Sequence, residues 1–418
     1  MAEAGSSSLA GRVAFKYPGF GLFLSARWFT IASLEMQSVA VGWQIYAVTH
    51  RQIDLGLVGL AQFIPGILLF LVSGQTADRF ERRRVLFACY AGFSICSSLL
   101  FFISRHGFHS VYSIYAVMLL LGVVRSFNGP ATRAILPQFV PEEHLPNAVA
   151  WGSTTFQSAT ILGPSIGGLV YAASHGPLAV YAISAALSAA AMISMLGVHP
   201  KSKPRAREPV TSKTVLAGLS YIWKKKIILG LISLDLFAVL LGGSVALLPA
   251  YAHDILKTGP WGLGFLRCAQ GVGAAAMAIF FAYRPLRRRT GATMLWCVAG
   301  FGVFTILFGI SRNFYFSLFV LVLVGATDMV SVIIRGVMIQ VATPDEMRGR
   351  VNAVDMVFIG ASNELGWFES GATAQWLGNV PAVVLGGVGT LLVTAIWAWR
   401  FPEMRKADRL TGEGSAGI

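Results

Sequence analysis

Stretches of about twenty mainly apolar residues recur twelve times along this chain, at approximately 19–47, 55–76, 84–104, 111–133, 144–174, 177–197, 227–252, 260–284, 291–311, 314–341, 350–376 and 380–401. About 20 such residues carry an α-helix across the hydrocarbon core of a bilayer, so each stretch is read as a membrane span. A polar interval separates the first six from the last six. The composition leaves little room for another reading. Only 12% of the 418 residues are charged and 55% are hydrophobic, whereas soluble domains carry about 25% charge. The chain lacks the polar residues to cover soluble cores, and it has the opposite balance from a disordered one. The 45 glycines suit close approach between membrane helices. The expected fold is an all-α membrane protein with twelve transmembrane helices in two pseudo-symmetric six-helix bundles. The first eighteen residues have no apolar run after their basic residues and are not read as a cleavable signal. Cys89, Cys96, Cys268 and Cys297 lie inside apolar segments without ligand spacing, and are read as packing residues.

The charge that remains is lopsided: 33 Lys and Arg against 19 Asp and Glu, a net +14. On a soluble domain this would suggest nucleic acid, but no soluble segment is long enough to present a basic face. In a membrane protein it is a topology signal. With a cytoplasmic N-terminus, 25 of the 33 basic residues fall on the inner face, 4 on the outer face (Arg51, Arg105, Lys257 and Arg312), and Arg27, Arg125, Arg267 and Arg335 within spans. A multi-pass protein of the cell membrane with both termini cytoplasmic is expected.

The two groups of spans repeat each other. After the second span the chain reads Ala77-Asp78-Arg79-Phe80-Glu81-Arg82-Arg83-Arg84, and after the eighth Ala282-Tyr283-Arg284-Pro285-Leu286-Arg287-Arg288-Arg289. Arg133, Gln138, Pro141-Glu142-Glu143 and Asn147-Ala148-Val149 are echoed by Arg335, Gln340, Pro344-Asp345-Glu346 and Asn352-Ala353-Val354. The expected organisation is a bundle over 1–198, a basic cytoplasmic linker over 199–226, and a second bundle over 227–418. Parallel repeats joined in this way indicate a secondary transporter with its substrate path between the halves.

The motifs carry a family resemblance. Gly74-Gln75-Thr76-Ala77-Asp78-Arg79-Phe80-Glu81-Arg82-Arg83-Arg84 resembles the loop-two signature of the major facilitator superfamily, and Arg125-Ser126-Phe127-Asn128-Gly129 its fourth-helix arginine motif. Gly163-Pro164-Ser165-Ile166-Gly167-Gly168 resembles the fifth-helix motif of its antiporter branch, with Ala150 and Ala159 in place of upstream glycines. Thr343 to Val354 and Ser362-Asn363-Glu364-Leu365-Gly366 are similar to the bacterial enterobactin-exporter and drug-efflux group. The resemblance spans essentially the whole chain.

It implies roles for particular residues. Gly74, Asp78, Arg79 and Arg133 would form a gating latch, with the Asp78 carboxylate bonding to arginine or capping a facing helix. The resemblance makes that helix the eleventh span, beginning near Arg350. Tyr283 stands at the position equivalent to Asp78, so the latch is expected in the first half alone. Gly163, Pro164, Gly167 and Gly168 would bend and seal the fifth span, since glycine allows close contact and proline breaks the helical ladder.

Six acids fall within predicted spans: Glu35, Asp235, Asp328, Asp355, Glu364 and Glu369. Ionisable groups there are costly in lipid and mark functional sites. Glu35, Glu364, Asp235 and Asp328 are the proton-coupling candidates, because a low dielectric favours the neutral carboxyl and lets it carry a proton. Arg125 and Arg335 are their expected charge partners. Asp328 and Arg335 are two helical turns apart and share a face. Trp43, Phe127, Trp151, Phe237 and Trp367 are candidates to line a substrate cavity.

These features point to a proton-coupled exporter of an amphipathic small molecule, a siderophore or drug-like compound. The alternative in the same fold is a carrier of another solute, such as a sugar, a lysophospholipid or an imported nutrient. A membrane-embedded enzyme is the distant alternative. The seven histidines lie in loops or at span ends, only His106 and His109 having ligand-like spacing, and there is no Gly-Lys-Ser/Thr nucleotide loop. No catalytic residue, metal or cofactor is expected. The expected partners are a small-molecule substrate, protons and the lipid bilayer, with no nucleic acid and a monomeric state.

Overall fold

The protein is described from a computed structural model covering residues 13–107, 110–199, 212–284 and 289–406. No strand occurs among the described residues, and every predicted span is helical. The first is α1, Phe20–Thr49. The second is interrupted: α2, Gln52–Leu68, contains Pro65 and gives way at Leu69 to α3, Phe70–Arg79. Proline removes a ladder hydrogen bond and crowds the preceding turn. Then come α4 (Arg82–Arg105), α5 (Val111–Ile135), α6 (Leu145–Ala173) and α7 (Leu178–Leu196).

The region predicted as linker contains a helix, α8 (Ser212–Lys224), followed by α9 (Lys226–Gly242). The seventh span breaks at Gly243 and continues as a 3-10 turn, Ser244–Leu247, a short helix, Leu248–Ala250, and a π turn, Tyr251–Ile255. The remaining spans are α10 (Gly259–Tyr283), α11 (Thr290–Ile310), α12 (Phe314–Ala342), α13 (Asp345–Leu377) and α14 (Asn379–Arg400). The fourth and tenth spans begin alike. Ser110 accepts a hydrogen bond from the Tyr112 backbone N–H, and Asn313 from that of Phe316, each satisfying an otherwise orphaned helix donor.

Eight helical segments among the described residues are long and apolar enough to cross a membrane. They include α4, α5, α7, α10, α11, α12, α14 and the stretch Lys226–Ile255. The other four predicted spans are α1, the α2–α3 pair, α6 and α13. Of these, α1, α6 and α13 have the length, at 30, 29 and 33 residues. Their sequences are diluted by Ser, Thr, Gln and Gly, and α1 and α13 also hold buried or half-buried carboxylates, Glu35, Asp355, Glu364 and Glu369.

The chain forms two compact units. One comprises Met1–Val41 and Ile64–Val210, the other Gly42–Phe63 and Thr211–Ile418. The boundary departs from the division read in the sequence, because the end of α1, most of α2 and the helix α8 join the second unit. For α8 the reason is an apolar side turned inward. Ile222 is buried, a side-chain carbon at Gly218 would stand 2.8 Å from the Arg350 carbonyl oxygen, and the Tyr221 hydroxyl donates to the Ala342 carbonyl at 3.4 Å.

Inside the first unit, α4 packs on α5 and α7; inside the second, α11 packs on α12 and α14. These are the third, fourth and sixth spans of each half, so the sequence repeat is matched by repeated packing. Hydrogen bonds tie helices where lipid offers none. The Ser33 hydroxyl donates to the Ser184 carbonyl at 2.8 Å, and Ser97 donates to Gln37 Oε1 at 2.5 Å, joining α1 to α7 and α4.

The glycines of the predicted fifth-span motif seat α6 against α1. A side-chain carbon at Gly163 would stand 2.7 Å from Glu35 Cβ, and one at Gly167 2.8 Å from Met36 Cα. Gly167→Ala is therefore expected to cost about 1–3 kcal/mol through overpacking and to lower the melting temperature of the detergent-solubilised protein. Gly129→Ala, with nothing within 4 Å of the added carbon, should leave it unchanged or raise it.

Candidate functional site

A buried charge cluster lies in the second unit. Arg335, on α12, is 4% exposed and Asp235, on α9, 7%. Arg335 Nη1 is 3.2 Å from Asp235 Oδ2 and 2.9 Å from Asp355 Oδ1 on α13. Three helices therefore converge on one guanidinium. Asp328, two turns before Arg335 on α12, interacts electrostatically with Asp235 and Arg335. Arg335 Nε is buried and has no hydrogen-bond acceptor among the described residues.

Three carboxylates around one guanidinium leave the cluster negative when all are ionised. Desolvating each ion costs several kcal/mol, which the two ion pairs at Arg335 offset in part. The sequence reading of Asp328 and Arg335 on one face finds them in electrostatic range. The ion pairs of Arg335, however, go to Asp235 and Asp355, the second also hydrogen-bonded, and Asp355 is not among the expected coupling residues. Its place is fixed by the contact between α13 and α12, which periodicity within one helix does not report.

Further along α13 are Glu364 and Trp367, two of the predicted residues. A side-chain carbon at Gly59 of α2 would stand 3.2 Å from Glu364 Oε2 and 3.2 Å from Trp367 Cε3. The Arg267 guanidinium lies over the Trp367 ring, 5.9 Å from its centroid, a cation–π arrangement. Along the same seam, a side-chain carbon at Gly371 would meet the Gln52 carbonyl oxygen at 2.8 Å. The backbones of α2 and α13 therefore lie in direct contact.

The predicted residues of the first unit have separate settings. Glu35 is half-buried beneath Gly163. Arg125 is exposed and Phe127 half-buried on α5. Arg27 reaches Gly152, whose added side-chain carbon would stand 2.9 Å from Nη1, and interacts electrostatically with Tyr90 and Arg133. Of the latch residues, Gly74 is half-buried, and Arg79 and Arg133 are exposed; the side chain of Asp78 lies outside the described residues.

The five candidate cavity aromatics are likewise dispersed. Trp151 stacks edge-on against Phe15 at 4.9 Å, Phe237 packs against Trp397 at 5.4 Å, and Trp43 against His253 at 5.4 Å. Arg83 has a role that counting loop charges does not reveal. Its Nε and Nη2 donate to the Met195 and Leu196 carbonyls at 2.9 and 2.5 Å, closing the C-terminus of α7. Arg348 does the same for α12, its Nε donating to the Gln340 and Thr343 carbonyls at 3.1 and 3.2 Å. Cationic donors at these positions satisfy orphan carbonyls and oppose the helix dipole.

A multi-pass all-α architecture, repeated packing in two units and buried ion pairs on membrane helices define a transporter of the major facilitator type. The chain belongs to the transmembrane secretion effector family, whose pattern it matches over residues 16–414. It is 29% identical over 387 residues to the enterobactin exporter EntS of Shigella boydii serotype 4 (strain Sb227), covering 90% of this chain and 86% of the relative. The EntS of Escherichia coli O81 (strain ED1a) is 28% identical over 388 residues, with the same coverage. Among solved structures, the fold is similar to a bacterial homologue of the human lysosomal transporter Spinster, with a TM-score of 0.73 at 12% identity, covering 93% of this chain and 98% of that one. It is also similar to a bacterial homologue of the iron transporter ferroportin, with a TM-score of 0.68 at 16% identity, covering 91% and 98%.

Removing the guanidinium while leaving its acids in place should be the most damaging change to the cluster. Arg335→Ala is expected to destabilise by about 3–5 kcal/mol, the cost of breaking a buried pair. Adding Asp235→Asn and Asp355→Asn should recover much of that loss. Thermal unfolding of the purified variants checks both outcomes.

Proposed function

We propose that this protein is a proton-coupled exporter of an amphipathic small molecule, of the siderophore or drug-like class, working by alternating access. The observation that carries the reading is the buried cluster of Asp235, Asp328 and Asp355 around Arg335. It is a site that gains from binding a proton and is built from three separate membrane helices. Glu35 and Glu364 are the further coupling candidates. Each sits where two helix backbones touch, beside Gly163 and Gly59 respectively, so a change in its charge bears directly on helix packing.

The choice of cargo class rests on the similarity to enterobactin exporters together with Arg267, Trp367 and the unsatisfied Arg335 Nε. These offer an aromatic face and cationic donors to an amphipathic molecule. The basic bias of the loops supports cytoplasmic termini, and a cell-membrane location suits export. In this reading the protein is a carrier and not an enzyme, works as a single chain, and has protons, cargo and lipid as its partners. The latch of Gly74, Asp78, Arg79 and Arg133 would stabilise one access state.

Purified protein reconstituted in vesicles, with enterobactin as the probe cargo, tests the reading. Transport should rise steeply with an imposed pH gradient and fall about tenfold or more in a Glu35→Gln/Glu364→Gln double variant, consistent with loss of a proton-carrying step worth about 1.4 kcal/mol or more. Gradient-insensitive transport, undiminished in that variant, would remove the proton coupling. Absence of transport in the intact protein, with another solute carried instead, would remove the cargo class.

A further inference from the structure

The end of α1 and the π turn of the seventh span bring together side chains from opposite halves of the sequence. His50 follows α1 with a φ of 49°, a left-handed conformation that is costly for a residue bearing a side chain. His253 and Asp254 lie within the π turn Tyr251–Ile255. Insertions of this kind are frequent at functional sites. All these residues belong to the second unit.

The three side chains converge. One donor atom from each of His50, His253 and Asp254 lies within 4.8 Å of the others, and the two imidazole rings are 5.3 Å apart between centroids. Asp254 is held on both sides. Its Oδ2 accepts a hydrogen bond from the Tyr46 hydroxyl, and its Oδ1 is 2.7 Å from His253 Nδ1. The Gln52 side-chain amide in turn donates to the Tyr46 oxygen at 3.4 Å. His50 and Asp254 are exposed and His253 is half-buried, so an ion has access from solution.

We propose that His50, His253 and Asp254 form a binding site for a divalent transition-metal ion of the zinc type. Two imidazole nitrogens and a carboxylate oxygen make a three-ligand set that leaves a fourth position for water. Nitrogen donors select zinc and its neighbours over magnesium and calcium, which take oxygen. Ligand bonds of about 2.0–2.2 Å in a tetrahedron place donor atoms roughly 3.5 Å apart, against the 4.8 Å within which the three donor atoms now lie. Tyr46 supplies the hydrogen bond that orients a ligating carboxylate, as supporting groups around metal sites commonly do. An ion there would fasten the end of α1 to the π turn.

Neither histidine could be selected from spacing, because each stands alone in its segment. His50 stands just before α2, whose Gly56 and Gly59 lie against α13, so the clamp would act next to a close helix contact.

The experiment is zinc titration of the full-length protein, purified in detergent without a histidine tag and followed by calorimetry. One equivalent should bind with micromolar affinity, and magnesium should produce no binding heat. His50→Ala and His253→Ala should each weaken zinc by about tenfold or more, whereas His175→Ala, an exposed histidine elsewhere, should bind as the intact protein does. Zinc should also raise the melting temperature of the intact protein, since a ligand of the native state stabilises it. Asp254→Asn keeps the shape and the Tyr46 contact, and should lose that shift while remaining folded. No binding at submillimolar zinc, or unchanged binding in a His50→Ala/His253→Ala double variant, would overturn the proposal.

Discussion

Hydrocarbon offers a peptide group no water, and each polar atom that enters it has to find its partner inside the protein. The helices of this chain meet that condition for the backbone, and the side chains meet it in three further ways. Serine hydroxyls bond to carbonyls of neighbouring helices, as Ser33 does to Ser184. Glycines let backbones touch where no polar partner is needed, as Gly167 does at Met36. Charges are gathered in groups, as at Arg335, and not left singly among apolar neighbours. Helix α13 shows the second and third devices together with a serine bond, since it carries Asp355, Gly371 and Ser370.

The cluster at Arg335 shows why a carrier tolerates an arrangement that a purely structural core would avoid. A single buried pair of opposite charges gains little net stability once desolvation is counted. One guanidinium among three carboxylates is worse still as a structural element, unless it gains a cation. The break of the seventh span at Gly243 is met by α13, because its Ser370 donates to the Gly243 carbonyl at 3.1 Å. The freed backbone is satisfied by the helix that also carries Asp355.

Much of this was legible in the sequence, and the remainder has a common cause. The apolar runs all fall on helical segments, eight of which are long and apolar enough to cross a membrane, because span length is set by the bilayer and not by tertiary context. The Gly163-to-Gly168 motif identified α6 as a close-packing helix, and the structure supplies its partner in α1. Three things were not legible. Asp355 pairs with Arg335 only because α13 meets α12, a relation between helices that no single-helix period encodes. Helix α8 was read as linker because its basic and proline-containing surroundings mask a short apolar side carrying Ile222. His50 and His253 each lacked a neighbour of their own kind, and only the folded chain brings them together. The latch residues remain as the resemblance placed them, with Gly74, Arg79 and Arg133 now located on α3 and α5.

Arg83 and Arg348 add a consequence for how such a chain is made. Basic residues in loops bias the direction in which neighbouring helices insert, and Arg83 and Arg348 also close the ends of α7 and α12 by bonding to their last carbonyls. Insertion bias and mechanical fastening are thus written in the same side chains. Losing either arginine leaves two carbonyls at a helix end without their cationic donor. A positive charge that a topology count treats as loop charge is, in this fold, also a fastening between the end of one helix and the start of another.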